Sequence, residues 1–444
     1  MMQSLLIANR GEIAVRVIRT AKEMGIRTIA IYSEADANSM HVKLADRSIC
    51  IGPPEPSKSY LDTPRIMSAL EVSGADAVHP GYGFLSENPK FAEIVRASGK
   101  IFVGPSAETL ELIGDKVKAK EVAKKVGLPL VPGSDGPVDF QKALEVASKI
   151  GYPIVIKAAA GGGGRGIRVI NNERELREKL PLATQEAQVA FGDGRVYIEK
   201  YLINPKHIEI QVLADKYGKV LTLGERECSI QRRHQKLIEE APSSYLTEEK
   251  RREMEELVAE FCREIGYEGA GTVEFLVDQE GNFYFMEMNG RIQVEHPVTE
   301  MVYGIDLVEW QIRIARGEKL NIQKPERRGY AIECRINAED PNTFLPSPGT
   351  VEELYLPGGY GVRVDTHLYC GYSVPPYYDS LLAKLICWGQ TREEAIKRSI
   401  RALEEFRISG SGLKTNIEFH KRVLSSREFQ QGKHHIRFVE ELMI

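Results

Sequence analysis

The chain has 444 residues, of which 42% are hydrophobic and 27% charged, with a formal net charge of −4 at pH 7. That composition supports two or three domains with ample cores, and a near-neutral balance with no basic stripe argues against nucleic acid as a partner. No run of about 18 apolar residues is present, so no membrane span is expected, and MMQSLLIANRGEIAVRV carries neither a basic leader nor a small-residue cleavage site, which points to the cytoplasm.

Strand and helix signals alternate over the first hundred residues. SLLIANRG is an apolar strand ending in a turn, EIAVRVIRTAKEMG has helical periodicity stopped by Gly25, and IRTIAIYS is a second strand. ADAVHPGYG and KIFVGPS add two more, and Asn88-Pro89 reads as N-cap and first residue of the helix between them. Alternation of this kind predicts a parallel, doubly wound sheet. Gly11 stands alone after Arg10, so the first turn lacks the glycine fingerprint of a dinucleotide site.

A proline- and glycine-rich stretch, GLPLVPGSDGPV, marks a domain boundary near 115 to 138. Residues 157 to 166 then read KAAAGGGGRG, flanked by the strand-like YPIVIKAA and RGIRVI, so the glycines join strand to strand. A phosphate loop of the Walker or dinucleotide type needs a helix N-terminus directly behind it, whereas the helical NNERELREKL follows only after the second strand. If the run holds phosphate, it does so as a hinged flap, with Lys157 on the leading strand as a point charge; an exposed flexible loop is the alternative.

The stretch GTVEFLVDQEGNFYFMEMNGRIQVEHP at 271 to 297 is the most informative. Glu280-Gly281 suits a tight turn between alternating apolar residues, which predicts a β-hairpin with Glu274 opposite Glu287 and Thr272 opposite Asn289. Two carboxylates facing each other among Val, Phe, Leu and Met are costly unless a cation resolves them. An all-oxygen Glu, Glu, Asn set suits Mg2+ or Mn2+ better than zinc. If the chain stays extended past Asn289, the same parity carries Arg291, Gln293 and Glu295. Further clusters are ambiguous alone. Gln231, His234 and Lys236 in ECSIQRRHQKLIEEAP fit a solvated charged strand, His207 fits a structural histidine, and Arg335 in AIECRINAED fits an internal ion pair. The six cysteines, Cys50, Cys228, Cys262, Cys334, Cys370 and Cys387, form no C-x-x-C pair and are expected to be buried thiols, not a disulfide framework or a zinc site.

Taken together, IANRGEIAVRVIR, HPGYGFLSEN, GGGGRG, HIEIQVLAD, RECSIQRRHQK, RIQVEHPVTE, ECRINAEDP, LPSPG and VPPYYDSLLAKLI give a chain that resembles, nearly end to end, the biotin carboxylase component of biotin-dependent carboxylases, within the ATP-grasp superfamily. The resemblance implies an α/β fold: a parallel N-terminal domain over 1–114, a lid region with the glycine flap over 115–204, and a larger mixed C-terminal domain over 205–444. It implies ATP contacts from Lys116, Lys157, Gly163, Gly164, Glu199, Lys200, Tyr201, Leu202, His207, Gln231 and His234, and metal ligation by Glu274, Glu287 and Asn289. Lys236, Arg291, Gln293 and Val294 would surround bicarbonate, Glu295 would be the base, and Arg335 would steady the biotin ureido oxygen. The implied reaction makes carboxyphosphate from ATP and bicarbonate and carboxylates biotin. The implied partners are a biotin carboxyl carrier protein, since the chain shows no A-M-K-M-like attachment site, a carboxyltransferase component, and a second copy in a homodimer.

Two departures stand out. Gly290 occupies a position where Thr or Pro is expected, which predicts a looser Arg291, and RISGSGLKTN looks about two residues longer than usual, which predicts a longer surface loop. Rival readings are an ATP-grasp ligase passing an acyl or carboxyphosphate to another amine, and a catalytically silent nucleotide-binding subunit.

Overall fold

The computed structural model describes residues 1–160 and 166–444; Gly163 and Gly164 lie outside the described residues. These residues form two compact units, one of 1–128, 206–275 and 286–444, the other of 129–205 and 276–285.

The first unit opens with five strands, β1 (Ser4–Ile7), β2 (Arg27–Ser33), β3 (Arg47–Gly52), β4 (Ala77–His79) and β5 (Ile101–Phe102), in the order β3-β2-β1-β4-β5. Every pairing is parallel, as the alternation predicts. All four residues of β1 are buried, which is why it reads as a continuous apolar run. Asn88 caps the helix Pro89–Ala97, its side chain accepting from Phe91 N–H at 3.0 Å with Pro89 in the first turn.

In the second unit, β6 (Ile154–Ala158) pairs antiparallel with both β7 (Ile167–Ile170) and β8 (Val196–Lys200). The glycine run therefore connects two hydrogen-bonded neighbours. Ile154, Ile156, Ile170, Leu176 and Ile198 form this unit's own core.

The remaining strands are β9 (Lys206–Ala214), β10 (Val220–Arg232), β11 (Gln235–Ala241), β12 (Gly269–Val277), β13 (Phe283–Asn289), β14 (Tyr330–Asn337), β15 (Glu353–Tyr355), β16 (Val362–Thr366), β17 (Leu381–Gly389) and β18 (Arg407–Ser409). β15 and β18 pair with each other, and the other eight form one sheet ordered β13-β12-β9-β10-β11-β14-β17-β16. One side is apolar: Ile238, Ile332, Cys334, Leu385 and Cys387 join the core shared with the helices Arg392–Glu405 and Ile417–Ser425. The alternate residues are charged, yet Glu209, Arg226, Glu333 and Lys384 are all 0% exposed. Four of the six cysteines are buried, but Cys50 and Cys370 are exposed, which corrects the expectation for those two. In the 408–416 loop Ser411 and Gly412 are exposed while Leu413 is buried.

A second buried charge cluster fastens the chain's last segment to this sheet. His434 Nε2 lies 2.6 Å from Glu227 and 3.2 Å from Glu240, Lys206 Nζ donates to the Gly432 and His434 carbonyls, and Arg392 donates to Glu240 and the Phe429 carbonyl. Burial works against the imidazolium, but the two glutamates outweigh it and raise His434 above its ordinary 6.5. Its charged form is the folded form, so the stabilisation is full below about 6.5 and is lost as pH rises through the higher folded value. His434→Gln is expected to cost about 1 to 3 kcal/mol at pH 6 and less at pH 9. Urea unfolding of both proteins at the two pH values measures the difference, and a pH-independent difference contradicts the charged-imidazolium assignment.

Candidate active site

At the centre of the charged side of the large sheet lies the ammonium of Lys236. Its Nζ is 2.7 Å from Glu209, 2.8 Å from Glu274 and 2.6 Å from Glu295. Lys236 follows a two-residue hairpin turn in which Arg233 (φ 49°) and His234 (φ 66°) are both left-handed. Side chains other than Gly, Asn or Asp rarely adopt that conformation, and this turn geometry matches the twist of the paired strands. The stretch 227–242 is thus a hairpin and not the solvated charged strand that its composition suggests. His234 is exposed at the turn and Gln231 is buried, its amide reaching His207 Nδ1 at 3.2 Å and the Cys228 carbonyl at 2.9 Å.

Glu274 and Glu287 do meet, in side-chain hydrogen-bond contact. The hairpin reaches that contact by a different route from the symmetric turn predicted. Asp278 N–H bonds to the Asn282 carbonyl, and Gly281 (φ 84°) closes a three-residue loop, one residue out of the expected register. Along β13 the buried positions run Phe283, Phe285, then Met288, a one-residue change of phase that restores the pairing at the glutamates. Burial and the neighbouring Glu274 push Glu287 up to about 7. Glu274 goes the other way: burial opposes its charge, but Lys236 and His207, whose Nε2 is 3.3 Å away, hold it well below the usual range. Two touching carboxylates that share a proton, with Asn289 half-buried nearby, fit a divalent cation that would displace that proton. Lys116, exposed at the start of the helix Lys116–Val126, adds a positive charge that favours ionised Glu287.

Beyond Asn289 the chain does not stay extended. Residues 290–295 bend, and Glu295 occupies the N-cap position of the helix His296–Tyr303 with ψ 9°. The strand parity expected for Arg291, Gln293 and Glu295 is therefore incorrect, although Arg291 Nη1 still donates to Gln293 Oε1 at 3.0 Å. Gly290 does not loosen Arg291. A side chain there would run into Ile113 and Leu110, and Glu87 clamps the bend by accepting from Gly290 N–H at 2.9 Å and Arg291 Nε at 3.1 Å.

Glu295 is fully buried, with Lys236 on one oxygen and Arg335 Nη2 at 2.9 Å on the other. Burial alone would raise it, but Lys236 and Arg335 outweigh burial and keep it well below the ordinary carboxylate value. Arg335 also donates to Glu239 at 2.5 Å, so the internal ion pair expected for it is present and joins it to Glu295. Composition gave no reason to single out Glu209, Arg226, Glu239 or Glu87. The available signal was alternation: Glu209 shares parity with His207 in HIEIQVL. Burial and the charge of Glu295 raise Glu209 to about 8 despite Lys236 and Arg226, so it retains a proton that it shares with Glu295.

Lys157, Glu199, Lys200, Tyr201 and Leu202 belong to the other unit. There Lys157 Nζ pairs with Glu199 at 2.6 Å, and Lys200 Nζ donates to the Gly151 carbonyl at 3.2 Å.

Three family descriptions match the chain: "Biotin carboxylase, N-terminal domain" over residues 1–110, "Carbamoyl-phosphate synthase L chain, ATP binding domain" over 115–323, and "Biotin carboxylase C-terminal domain" over 333–441. A biotin carboxylase of Haemophilus influenzae is 56% identical across 99% of both chains, and the 2-oxoglutarate carboxylase small subunit of Hydrogenobacter thermophilus is 54% identical across 99% of this chain and 94% of that one. Among solved structures, the biotin carboxylase domain of a thermophilic 2-oxoglutarate carboxylase bound to bicarbonate superposes with a TM-score of 0.95 at 50% identity, covering 99% of this chain and 98% of that one.

Removing the Lys236 ammonium takes the nearest cation from two ionised buried carboxylates, Glu274 and Glu295, beside the protonated Glu209. Lys236→Met is expected to cost about 3 to 5 kcal/mol near neutral pH. The carboxylates would then take up protons in the fold that they do not hold unfolded, so the variant's stability should rise as pH falls from 7.5 to 5.5. Urea titrations at the two pH values check this. A loss that does not shrink on acidification rules out stranded charge as its cause.

Proposed function

We infer the activity from one premise: the chain belongs to the biotin carboxylase family. It uses ATP and bicarbonate to carboxylate biotin at N1, releasing ADP and phosphate. The observation that carries the residue assignment is the contact of Lys236 with Glu295, whose second oxygen is held by Arg335.

Bicarbonate is a poor electrophile, and phosphoryl transfer from ATP converts it to carboxyphosphate, whose breakdown gives CO2 beside biotin. Such transfer asks chiefly for positioning and charge neutralisation. In this reading Lys236, Arg291, Gln293 and Val294 hold bicarbonate, Glu295 accepts its proton as the oxygen attacks the γ-phosphorus, and Arg335 binds the ureido oxygen of biotin. Lys116, Lys157, Gly163, Gly164, Glu199, Lys200, Tyr201, Leu202, His207, Gln231 and His234 serve ATP. Glu274, Glu287 and Asn289 would hold Mg2+ or Mn2+, which when bound neutralises charge on the phosphate oxygens.

The resting site explains a requirement of this scheme. A carboxylate clamped by two cations is a weak base. If Lys236 turns to bicarbonate and Arg335 to biotin, each substrate removes one cation from Glu295 and its proton affinity rises. Biotin is thereby expected to accelerate bicarbonate-dependent ATP cleavage, so ADP release with and without free biotin tests the assignment directly.

The proposed partners are a biotin carboxyl carrier protein and a carboxyltransferase component, with a second copy in a homodimer; the Hydrogenobacter thermophilus relative is itself named as the small component of a carboxylase. No helix among the described residues is long and apolar enough to cross a membrane. The proposed location is the cytoplasm.

Two substitutions separate the roles. Glu295→Gln should lower kcat by about 10² to 10⁴ with ATP affinity nearly unchanged. A kcat within about tenfold of the parent, with a raised bicarbonate KM, would make Glu295 a holder of Arg335 and Lys236 and not the base. Glu287→Gln should leave the fold intact and severely weaken turnover at low Mg2+, whereas unchanged turnover there would exclude Glu287 as a metal ligand.

A further inference from the structure

We propose that Lys384, backed by Glu12, is a positioning residue that fixes the peptide between Val294 and Glu295 and so sets the bend carrying the bicarbonate ligands. This rests on the reading of that bend given above. Lys384 lies on β17, directly across from Arg335 on β14 and from Asp365 on β16, and is 0% exposed. Its Nζ donates to the Val294 carbonyl at 2.8 Å and stands 3.2 Å from Glu12 Oε2. The other Glu12 oxygen accepts from the Tyr82 hydroxyl at 2.5 Å. Glu333, Asp365, His296 and Arg335 also face this ammonium or its strand neighbours, so Lys384 does not exist to neutralise Glu12 alone.

The shorter contact goes to the main chain. Val294 is half-buried in an irregular bend, where its carbonyl has no strand partner and takes its donor from Lys384. Because a peptide is planar, holding the Val294 oxygen also fixes the direction of the Glu295 N–H and the entry into the helix His296–Tyr303. Glu295 sits at that entry, and Arg291 and Gln293 sit on the same bend. A single donor from β17 thus orients the base and the bicarbonate ligands together, while Glu12 connects the same ammonium to the N-terminal sheet's loop at Tyr82.

Three variants decide the matter. Lys384→Met leaves Glu12 buried without its cation and is prone to misfold; the double variant Lys384→Met with Glu12→Gln removes both charges at nearly constant volume. Positioning predicts that the double variant still folds cooperatively and keeps its ATP KM within twofold, but loses at least tenfold in kcat/KM for bicarbonate because Val294 still lacks its donor. Lys384→Arg, which keeps a charged donor, should recover part of that loss. Full recovery of bicarbonate kcat/KM in the double variant would overturn the proposal and leave Lys384 a structural ion pair, as would an equal loss for ATP and bicarbonate. Arg291→Ala serves as the control on the underlying reading: if it leaves the bicarbonate KM unchanged, the bend is not the bicarbonate site, whatever the Lys384 variants do.

Discussion

The structure around the site depends on one largely buried ammonium. Lys236 lies within hydrogen-bonding distance of three carboxylates, and each of those carboxylates is anchored on a different element: Glu209 on β9, Glu274 on β12 and Glu295 at the start of a helix. Desolvating an ion costs several kcal/mol, and the attraction between opposite charges repays it only where the geometry is close and the remaining polar atoms are satisfied. The same requirement extends outward. Arg226 meets Glu209 at 2.7 Å and Arg335 meets Glu239 and Glu295, so the charged side of the sheet is a network in which no single side chain can be placed independently.

Carboxylates outnumber cations on this floor, and protons make up the difference. Glu209 is held up to about 8 and Glu333 well above its ordinary value, both first by burial and then by a neighbouring carboxylate, while Glu295 is driven down by its cations. This division suits the proposed roles, a proton acceptor at Glu295 and a divalent cation at Glu274 and Glu287. The ionised form of Glu295 is secured by its two cations, and under the proposed function its basicity depends on what the substrates take from it. Stability and reactivity are in tension here: the cations that make a buried Glu295 tolerable also suppress its chemistry.

Local context also reverses the meaning of Gly290. In sequence it reads as a loss of stiffness beside Arg291; in the fold it is the residue small enough to pass Ile113 and Leu110, and Glu87 supplies the rigidity that a side chain would have supplied. Glu87 lies in FLSEN, more than two hundred positions away in the chain, and no pattern within 271–297 could have indicated it. The hairpin shows the opposite case. Its turn is one residue away from the predicted register, yet the glutamates meet because the strand changes phase before reaching them, and the facing of the two carboxylates survives the local irregularity.

The parallel N-terminal sheet, the strand pair around the glycine run, the Asn88 cap and the pairing of Glu274 with Glu287 were all legible in the order of residues alone. Those features follow from period, capping chemistry and the cost of like charges, all of which act over a few residues. Motifs likewise pointed to Lys236, Glu295 and Arg335 through their resemblance to a family. That the polar side of the large sheet is buried became visible in the folded chain and not before, because alternation reports which residues share a face and not whether water or protein covers it. The bend at 290–295 belongs with it, since a helix beginning at His296 and contacts from Glu87, Arg16 and Lys384 on distant elements hold it there. Charges that meet across such separations leave no local signature, and their partners become known only once the chain has closed on itself.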